Sequence, residues 1–334
     1  MTKGTALLVP GNFGSALADV GGTPAIRPIW LNPLALLAGR FVDLSLPPPA
    51  GVTITATGFI PVYCSLLENA LRSAGYVVVP FSYDWRQNID DLAPLLGQTI
   101  VASKPPVYLV THSLGSLVAR RALQQLATQR TPEWVLSNVG ALVMLGPCTS
   151  GTLSAALGLA GATNQLPGFN TLPTPPPYVQ KTLATFTSLY QALPFDSSKL
   201  PSLDDPDHNV RTAGFWGSQR IDVNKLLAAI PPGGPSWAAT IDTAFMAQKS
   251  AIILGDAPQT AGGVRFQGNE MIVDSYVPGD GFMAHNCSTL AERPATYLAS
   301  GVSHLHLTLA KVVIQAVIAI FQGTIPRTVT PYDA

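Results

Sequence analysis

Pro106-Val107-Tyr108-Leu109-Val110-Thr111-His112-Ser113-Leu114-Gly115-Ser116-Leu117-Val118 changes character in its middle. Residues 106–110 form a short apolar run without polar alternation, the pattern of a strand covered on both faces. Residues 114–126 read as a helix. The join is His112-Ser113-Leu114, with the small Gly115 two places after the serine and the compact Thr111 two places before it. A strand, a sharp turn and a helix hold a serine in a strained conformation with its hydroxyl exposed at the sheet edge. Ser113 is therefore the candidate nucleophile. The plainer reading is a serine that only caps the following helix.

The same kind of run recurs outward in both directions, at residues 6–9, 52–57, 76–79, 141–145 and 251–254. Each is rich in Val, Ile and Leu. Helical stretches fall between them at residues 65–74 and 305–321, with an early helical segment at 32–38 and a loop at Pro47-Pro48-Pro49. Strands alternating with helices predict an α/β fold with a doubly wound, mostly parallel sheet. Residues 149–249 break the rhythm. They carry the proline clusters 173–177 and 231–235 and scattered aromatics, among them Phe169, Phe186, Tyr190, Phe215, Trp216 and Trp237. This stretch reads as a lid or cap inserted between two core strands of a single domain, residues 1–334. Phe215 and Trp216 are its candidates for lining a substrate pocket.

Composition narrows the field. Hydrophobic residues make up 47% of the 334, and charged residues only 11%, against about 25% charged in an ordinary soluble domain. Lys plus Arg and Asp plus Glu stand at 19 each, so no basic excess points to nucleic acid or to an acidic membrane surface. The three cysteines, Cys64, Cys148 and Cys287, are far apart and read as buried thiols. With no Cys/His cluster, neither a disulfide framework nor a metal is expected, and no motif asks for a cofactor. No apolar run reaches the length of a membrane span. Residues 5–9 are interrupted by Pro10-Gly11 too early to form the apolar core of a signal peptide. The expected setting is the cytoplasm, or outside the cell if a signal has already been removed.

A serine hydroxyl needs a base, an orienting carboxylate and amide donors for the oxyanion. Of the five histidines, His112 lies in the elbow and is expected to point away from the nucleophile. His208 sits in the polar run 204–208 and reads as solvated, and His285 is too near the acid loop. His304 and His306 remain, just before the last helix. His304 is favoured because Gly301-Val302-Ser303 gives it a loop-like lead, whereas His306 falls in a packed-looking Leu-His-Leu run. For the acid, Asp280 in Pro278-Gly279-Asp280-Gly281 is favoured, since flanking glycines let a tight turn present a carboxylate. Asp256 and Asp274 are the rivals. The oxyanion donors expected are the backbone N–H of Leu114 and, from Val9-Pro10-Gly11-Asn12-Phe13-Gly14, that of Asn12, with Phe13 as the alternative.

Several of these motifs resemble one family, the lecithin:cholesterol acyltransferase and lysosomal phospholipase A2 group. Val9-Pro10-Gly11-Asn12-Phe13-Gly14-Ser15 is similar to its first-strand loop, Ile29-Trp30-Leu31-Asn32 to its Trp-Leu-Asn segment, and Tyr83-Asp84-Trp85-Arg86 to its Tyr-Asp-Trp-Arg signature. His112-Ser113-Leu114-Gly115, Gly279-Asp280-Gly281 and Ser303-His304-Leu305 are similar to its elbow, acid and base motifs. They fall in the family's order across most of the chain. The resemblance implies an α/β-hydrolase fold, a Ser113–Asp280–His304 triad, and lipid-ester or acyl-transfer chemistry through an acyl-enzyme. The chain departs from the pattern at Phe282-Met283, at Pro147-Cys148-Thr149-Ser150, and in lacking the paired cysteines of an early lid.

The function expected is thus a serine carboxylic-ester hydrolase, or an acyltransferase, acting on an apolar ester or lipid. A thioesterase, lactonase or amidase would use the same triad, because all pass through the same tetrahedral oxyanion. A non-catalytic binder of apolar ligands is the reading from another class. Tyr83-Asp84-Trp85-Arg86 is expected to be a structural ion pair with a packed tryptophan rather than part of the entrance.

Overall fold

The computed structural model describes residues 2–21, 26–166, 177–217, 221–231, 235, 237, 243–257 and 259–333. Phe169 and residues 173–176 and 232–234 of the proline clusters lie outside the described residues.

In chain order the strands are β1 (Thr5–Val9), β2 (Ser15–Asp19), β3 (Arg27–Trp30), β4 (Ile54–Phe59), β5 (Val77–Pro80) and β6 (Val107–His112). They continue with β7 (Val139–Leu145), β8 (Ser250–Gly255), β9 (Thr260–Gln267), β10 (Glu270–Val277), β11 (Ala295–Ala299) and β12 (Thr330–Pro331). The central sheet runs β12-β11-β8-β7-β6-β1-β5. Every neighbouring pair in it is parallel except β11 and β12.

Its middle strands are buried along almost their whole length, and the continuous apolar runs follow from this. Successive side chains of a strand leave on opposite faces. Leu7, Leu109, Leu142 and Ile252 enter one core, with the helices Ile89–Ala102 and Gly115–Gln129. Leu8, Val110, Val143 and Ile253 enter the other, with the helices Pro61–Ser73 and Lys311–Phe321. A strand with a core on each side has no polar face to alternate with.

Three elements differ from the sequence reading. The run at 52–57 becomes β4, which pairs antiparallel with β2 in an accessory β3-β2-β4 sheet, not in the central one. Thr55 and Thr57 are exposed while Ile54 and Ala56 are half-buried, the alternation of a strand with one wet face. The edge strand β11, Ala295-Thr296-Tyr297-Leu298-Ala299, is only partly buried and too mixed to read as a core strand. The stretch 305–321 divides into a 3-10 turn, His304–His306, and a helix that starts at Lys311.

The long segment between β7 and β8 carries the helices Leu153–Ala160, Pro177–Leu183, Thr187–Gln191, Ala213–Trp216, Val223–Ala229 and Thr243–Lys249. It joins the first core rather than standing apart. Phe186 and Tyr190 are fully buried there, and the Phe186 ring meets Trp85 edge-on at 5.6 Å. The three cysteines are buried and unpaired, and burial pushes each thiol pKa up. Among the described residues no helix is long and apolar enough to cross a membrane.

Candidate active site

The elbow is built by the end of β6. Ser113 follows His112 with φ +53°, a conformation a non-glycine residue adopts only when its surroundings impose it. They impose it here through the Ser113 N–H, which donates to Leu145 O at 3.0 Å, and through the helix that starts at Gly115. A Cβ on Gly115 would stand 2.4 Å from Pro10 O, so the helix and the β1 loop approach only because it is absent. Thr111 fits without a glycine because its hydroxyl shares a buried hydrogen bond with Ser116 Oγ, at 2.8 Å. Among the described residues Ser113 Oγ makes no hydrogen bond and faces a cavity.

Asp280 and His304 are brought together. His304 Nδ1–H donates to Asp280 Oδ2 at 2.7 Å, and both side chains are buried. The His304 N–H also donates to the Asp280 carbonyl, at 2.8 Å. Asp280 Oδ1 accepts the amides of Met283 at 2.7 Å and Phe282 at 3.0 Å. Burial works to raise the Asp280 carboxyl, but the His304 imidazole and these amides outweigh it and hold its pKa below the usual carboxylate value. The pair sits over two glycines. A Cβ on Gly146 would stand 2.7 Å from Asp280 Oδ2 and 2.9 Å from His304 Nδ1; one on Gly255 would stand 2.8 Å from Asp280 Cβ.

The rival groups lie elsewhere. The Asp256 N–H bonds to Val302 O. Asp274 binds His208 Nε2 at 2.7 Å and Arg265 Nε at 3.2 Å, so His208 is held in an ion-pair cluster and is not simply solvated. His285 Nε2 reaches the Gly255 carbonyl at 2.7 Å. His306 is exposed and bonded to Ser303 Oγ at 2.7 Å, not packed. The His112 ring is directed to Tyr63 and to the His304 turn. It lines the same cavity, its ring centroid 4.5 Å from that of His304.

The loop after β1 is held by aromatic side chains. Tyr83 Oη–H donates to Pro10 O at 2.6 Å, Trp30 Nε1–H to Phe13 O at 2.8 Å and Trp85 Nε1–H to Ser15 O at 3.0 Å, while Tyr63 Oη accepts the Gly11 N–H at 3.0 Å. Phe13 takes φ +65°. Among the described residues the backbone N–H groups of Asn12, Phe13 and Leu114 make no hydrogen bond. A Cβ on Gly11 would lie 2.7 Å from Ser113 Cβ, so glycine here lets the loop close on the serine. Within Tyr83-Asp84-Trp85-Arg86, Arg86 pairs with Asp84 at 2.6 Å and caps Leu44 O at 2.6 Å. The motif anchors this loop from behind and does not line the cavity.

That cavity holds about 390 Å³. Ser113, Leu114, Asn12, Phe13 and His304 stand at one part of its wall. The rest is mainly apolar, with Trp30 and Phe41 from the early segment and Ala155, Gly158, Leu166, Leu183 and Leu189 from the β7–β8 segment. Phe215 and Trp216 do not line it. Their rings pack on Phe266 of β9, and Trp216 Nε1–H is satisfied by Val210 O. Among the described residues no three His, Cys, Asp or Glu side chains gather as a metal site.

The family model for lecithin:cholesterol acyltransferase matches residues 54–224, just over half of the chain. The chain belongs to the lecithin:cholesterol acyltransferase family. No curated protein matches it. Among solved structures, that of the Tle4–Tli4 complex superposes with a TM-score of 0.60 at 11% identity, covering 95% of this chain and 98% of that one. The Bacillus licheniformis lipase BlEst2 gives 0.38 at 11% identity, with 91% and 86% covered. Phospholipase PlaB from Legionella pneumophila gives 0.40 at 12% identity, with 97% and 61% covered. At 11% identity the likeness to the Tle4–Tli4 structure is one of fold alone, a mostly parallel central sheet between layers of helices.

Sequence reasoning missed Tyr63, Gly146 and Gly255 in this lecithin:cholesterol acyltransferase family member. Tyr63 lies in a helix that otherwise reads as packing, and Gly146 and Gly255 are simply the residues that end strands. The usable signal was positional: β7, beside the elbow strand, and β8, beside β7, both run out on a glycine. The departure at Phe282-Met283 also has a place, since those two amides hold Asp280 and the Phe282 ring stacks on His304 at 5.2 Å.

Proposed function

We propose that the chain is a serine hydrolase of apolar carboxylic esters, working through a Ser113 acyl-enzyme. The observation that carries this is the buried His304–Asp280 pair at 2.7 Å beside a positive-φ serine, opening on one apolar cavity. His304 Nδ1–H is committed to Asp280, so the proton-free Nε2 is left as the general base. It takes the Ser113 proton as Oγ attacks the ester carbonyl. The unbonded amides of Leu114 and of Asn12 or Phe13 receive the oxyanion. The protonated His304, steadied by Asp280, then gives its proton to the leaving alcohol. Water repeats the sequence to release the acid, and an acceptor alcohol in its place gives acyl transfer. Family membership favours both outcomes, and the apolar wall favours an acyl chain as the group held.

The segment 149–249 acts as the cap in this reading. Its helices supply one side of the cavity, through Ala155, Gly158, Leu183 and Leu189, and shield the acyl-enzyme from bulk water. The test is hydrolysis of p-nitrophenyl esters of graded chain length, with and without an acceptor alcohol, beside labelling by a fluorophosphonate. Ser113→Ala is expected to abolish labelling and to lower kcat by about 10³-fold or more. Undiminished hydrolysis by that variant would overturn the proposal.

A further inference from the structure

Burial and the neighbouring His304 push the His112 pKa down to about 3, so its ring is neutral. Its Nε2 lies 3.1 Å from the His304 carbonyl oxygen, which can only accept, so Nε2 carries the hydrogen. Nδ1 is therefore bare, and the hydrogen bond it shares with Tyr63 Oη is donated by the tyrosine. The same oxygen accepts the Gly11 N–H. One directed chain results, from Gly11 N–H to Tyr63 O–H to His112 Nδ1, and from His112 Nε2–H to His304 O. The Tyr63 carbonyl also accepts the Thr308 hydroxyl, just past the His304 turn. These bonds touch the loop bearing Asn12 and Phe13, the elbow bearing Ser113 and the turn bearing His304.

We propose that Tyr63 and His112 are positioning residues that lock the oxyanion loop, the elbow and the base turn into one geometry. The inference rests on the reading of Ser113 and His304 given above. Both side chains line the cavity, and the His112 ring packs on that of His304, but neither takes a nucleophilic or proton-transfer step. Their work is to fix where the Asn12 and Phe13 amides point and to keep an uncharged imidazole beside a base that becomes cationic in every cycle. His304, Asp280 and Tyr63 are the titratable groups facing His112. A proton on His112 would oppose the imidazolium on His304 at a ring separation of 4.5 Å.

Tyr63→Phe keeps the ring and removes only the hydroxyl. It leaves Gly11 N–H without its acceptor and lets His112 exchange tautomers. The expected result is a fall in kcat of about 10- to 100-fold, the scale of a small misplacement of catalytic groups, with KM for a short-chain ester unchanged. His112→Gln, whose amide both accepts and donates, is expected to restore most of the activity that His112→Ala loses. Histidine ¹⁵N spectra should show His112 protonated at Nε2 in the parent protein and a tautomer mixture in Tyr63→Phe. An unchanged kcat with an unchanged tautomer overturns the inference. So does a loss of activity that tracks melting temperature and is equal in His112→Gln and His112→Ala. A parent protein that neither hydrolyses esters nor takes the fluorophosphonate overturns the nucleophile reading instead, and the tautomer spectra then decide the clasp alone.

Discussion

Gly146 has room for a hydrogen and nothing larger. It takes φ +48°, and an added methyl would press on the carboxylate, the imidazole and Leu307 Cδ1 at once. Gly146→Ala is therefore expected to part Asp280 from His304 while β7 and β8 stay paired. Ester turnover should fall by about 10²-fold with the circular dichroism spectrum unchanged; full activity would show that the pair tolerates displacement. His112 makes a second residue-scale prediction. Its folded pKa, about 3, lies below the unfolded value, so the native state binds fewer protons between about 6.5 and 3. Its contribution to stability is complete above that window and is lost as pH falls through it, by up to about 5 kcal/mol at 1.36 kcal/mol per pH unit. His112→Gln, which cannot titrate, should flatten the acid side of the unfolding free energy plotted against pH. Of these groups Ser113 was readable because a compact residue must flank an elbow on either side. The pairing of Asp280 with His304 was readable only as a choice among nearby candidates. Tyr63 was not readable, because what it bonds lies far away in sequence and no local pattern records a hydroxyl's partner.

The elements were legible where burial was two-sided. Residues 107–110, 141–145 and 251–254 are strands with a core on each face, and it is this double burial that leaves their apolar runs uninterrupted. The run at 52–57 shares their β-branched character, but Thr55 and Thr57 face water, and that alternation assigns it to an outer antiparallel sheet. The β9–β10 hairpin carries a further prediction. His208 ties the β7–β8 segment to Asp274 of β10, with Asp205 and Arg265 at the same junction. The hydrogen bond to Asp274 raises the His208 pKa above its ordinary value, against the opposing effect of burial. A raised folded pKa means that the tie is fully present below about pH 6.5 and is lost as pH rises through the folded value. The difference in melting temperature between the parent protein and His208→Gln should therefore be largest in mild acid and close at alkaline pH. Amide exchange in β9 and β10, corrected for its intrinsic pH dependence, should rise over the same range.

At the scale of the whole molecule, Trp85 joins parts that are distant in sequence. Its fully buried indole lies 4.3 Å from the Phe13 ring, 6.0 Å from Trp30 and 5.6 Å from Phe186, so the β1 loop, the accessory sheet and the β7–β8 segment meet on it. Trp85→Ala should cost about 3–5 kcal/mol. Since it also frees Ser15 O, esterase activity should be lost at lower urea than the helical signal is; coincident transitions would show that the junction is not a weak point. This convergence was the least legible feature, because the order of motifs along a chain gives their sequence but not which of them touch. The buried cysteines set how the molecule relates to its surroundings. Cys64, Cys148 and Cys287 are shut away as protonated thiols, and only a thiolate exchanges with disulfides or reacts readily with peroxide. Stability here comes from packing, with no covalent cross-link to make or break. Glutathione has no disulfide to reduce, and the raised thiol pKa keeps even Cys148, which lines the cavity, from reacting readily, so the fold itself calls for neither a reducing nor an oxidising surrounding.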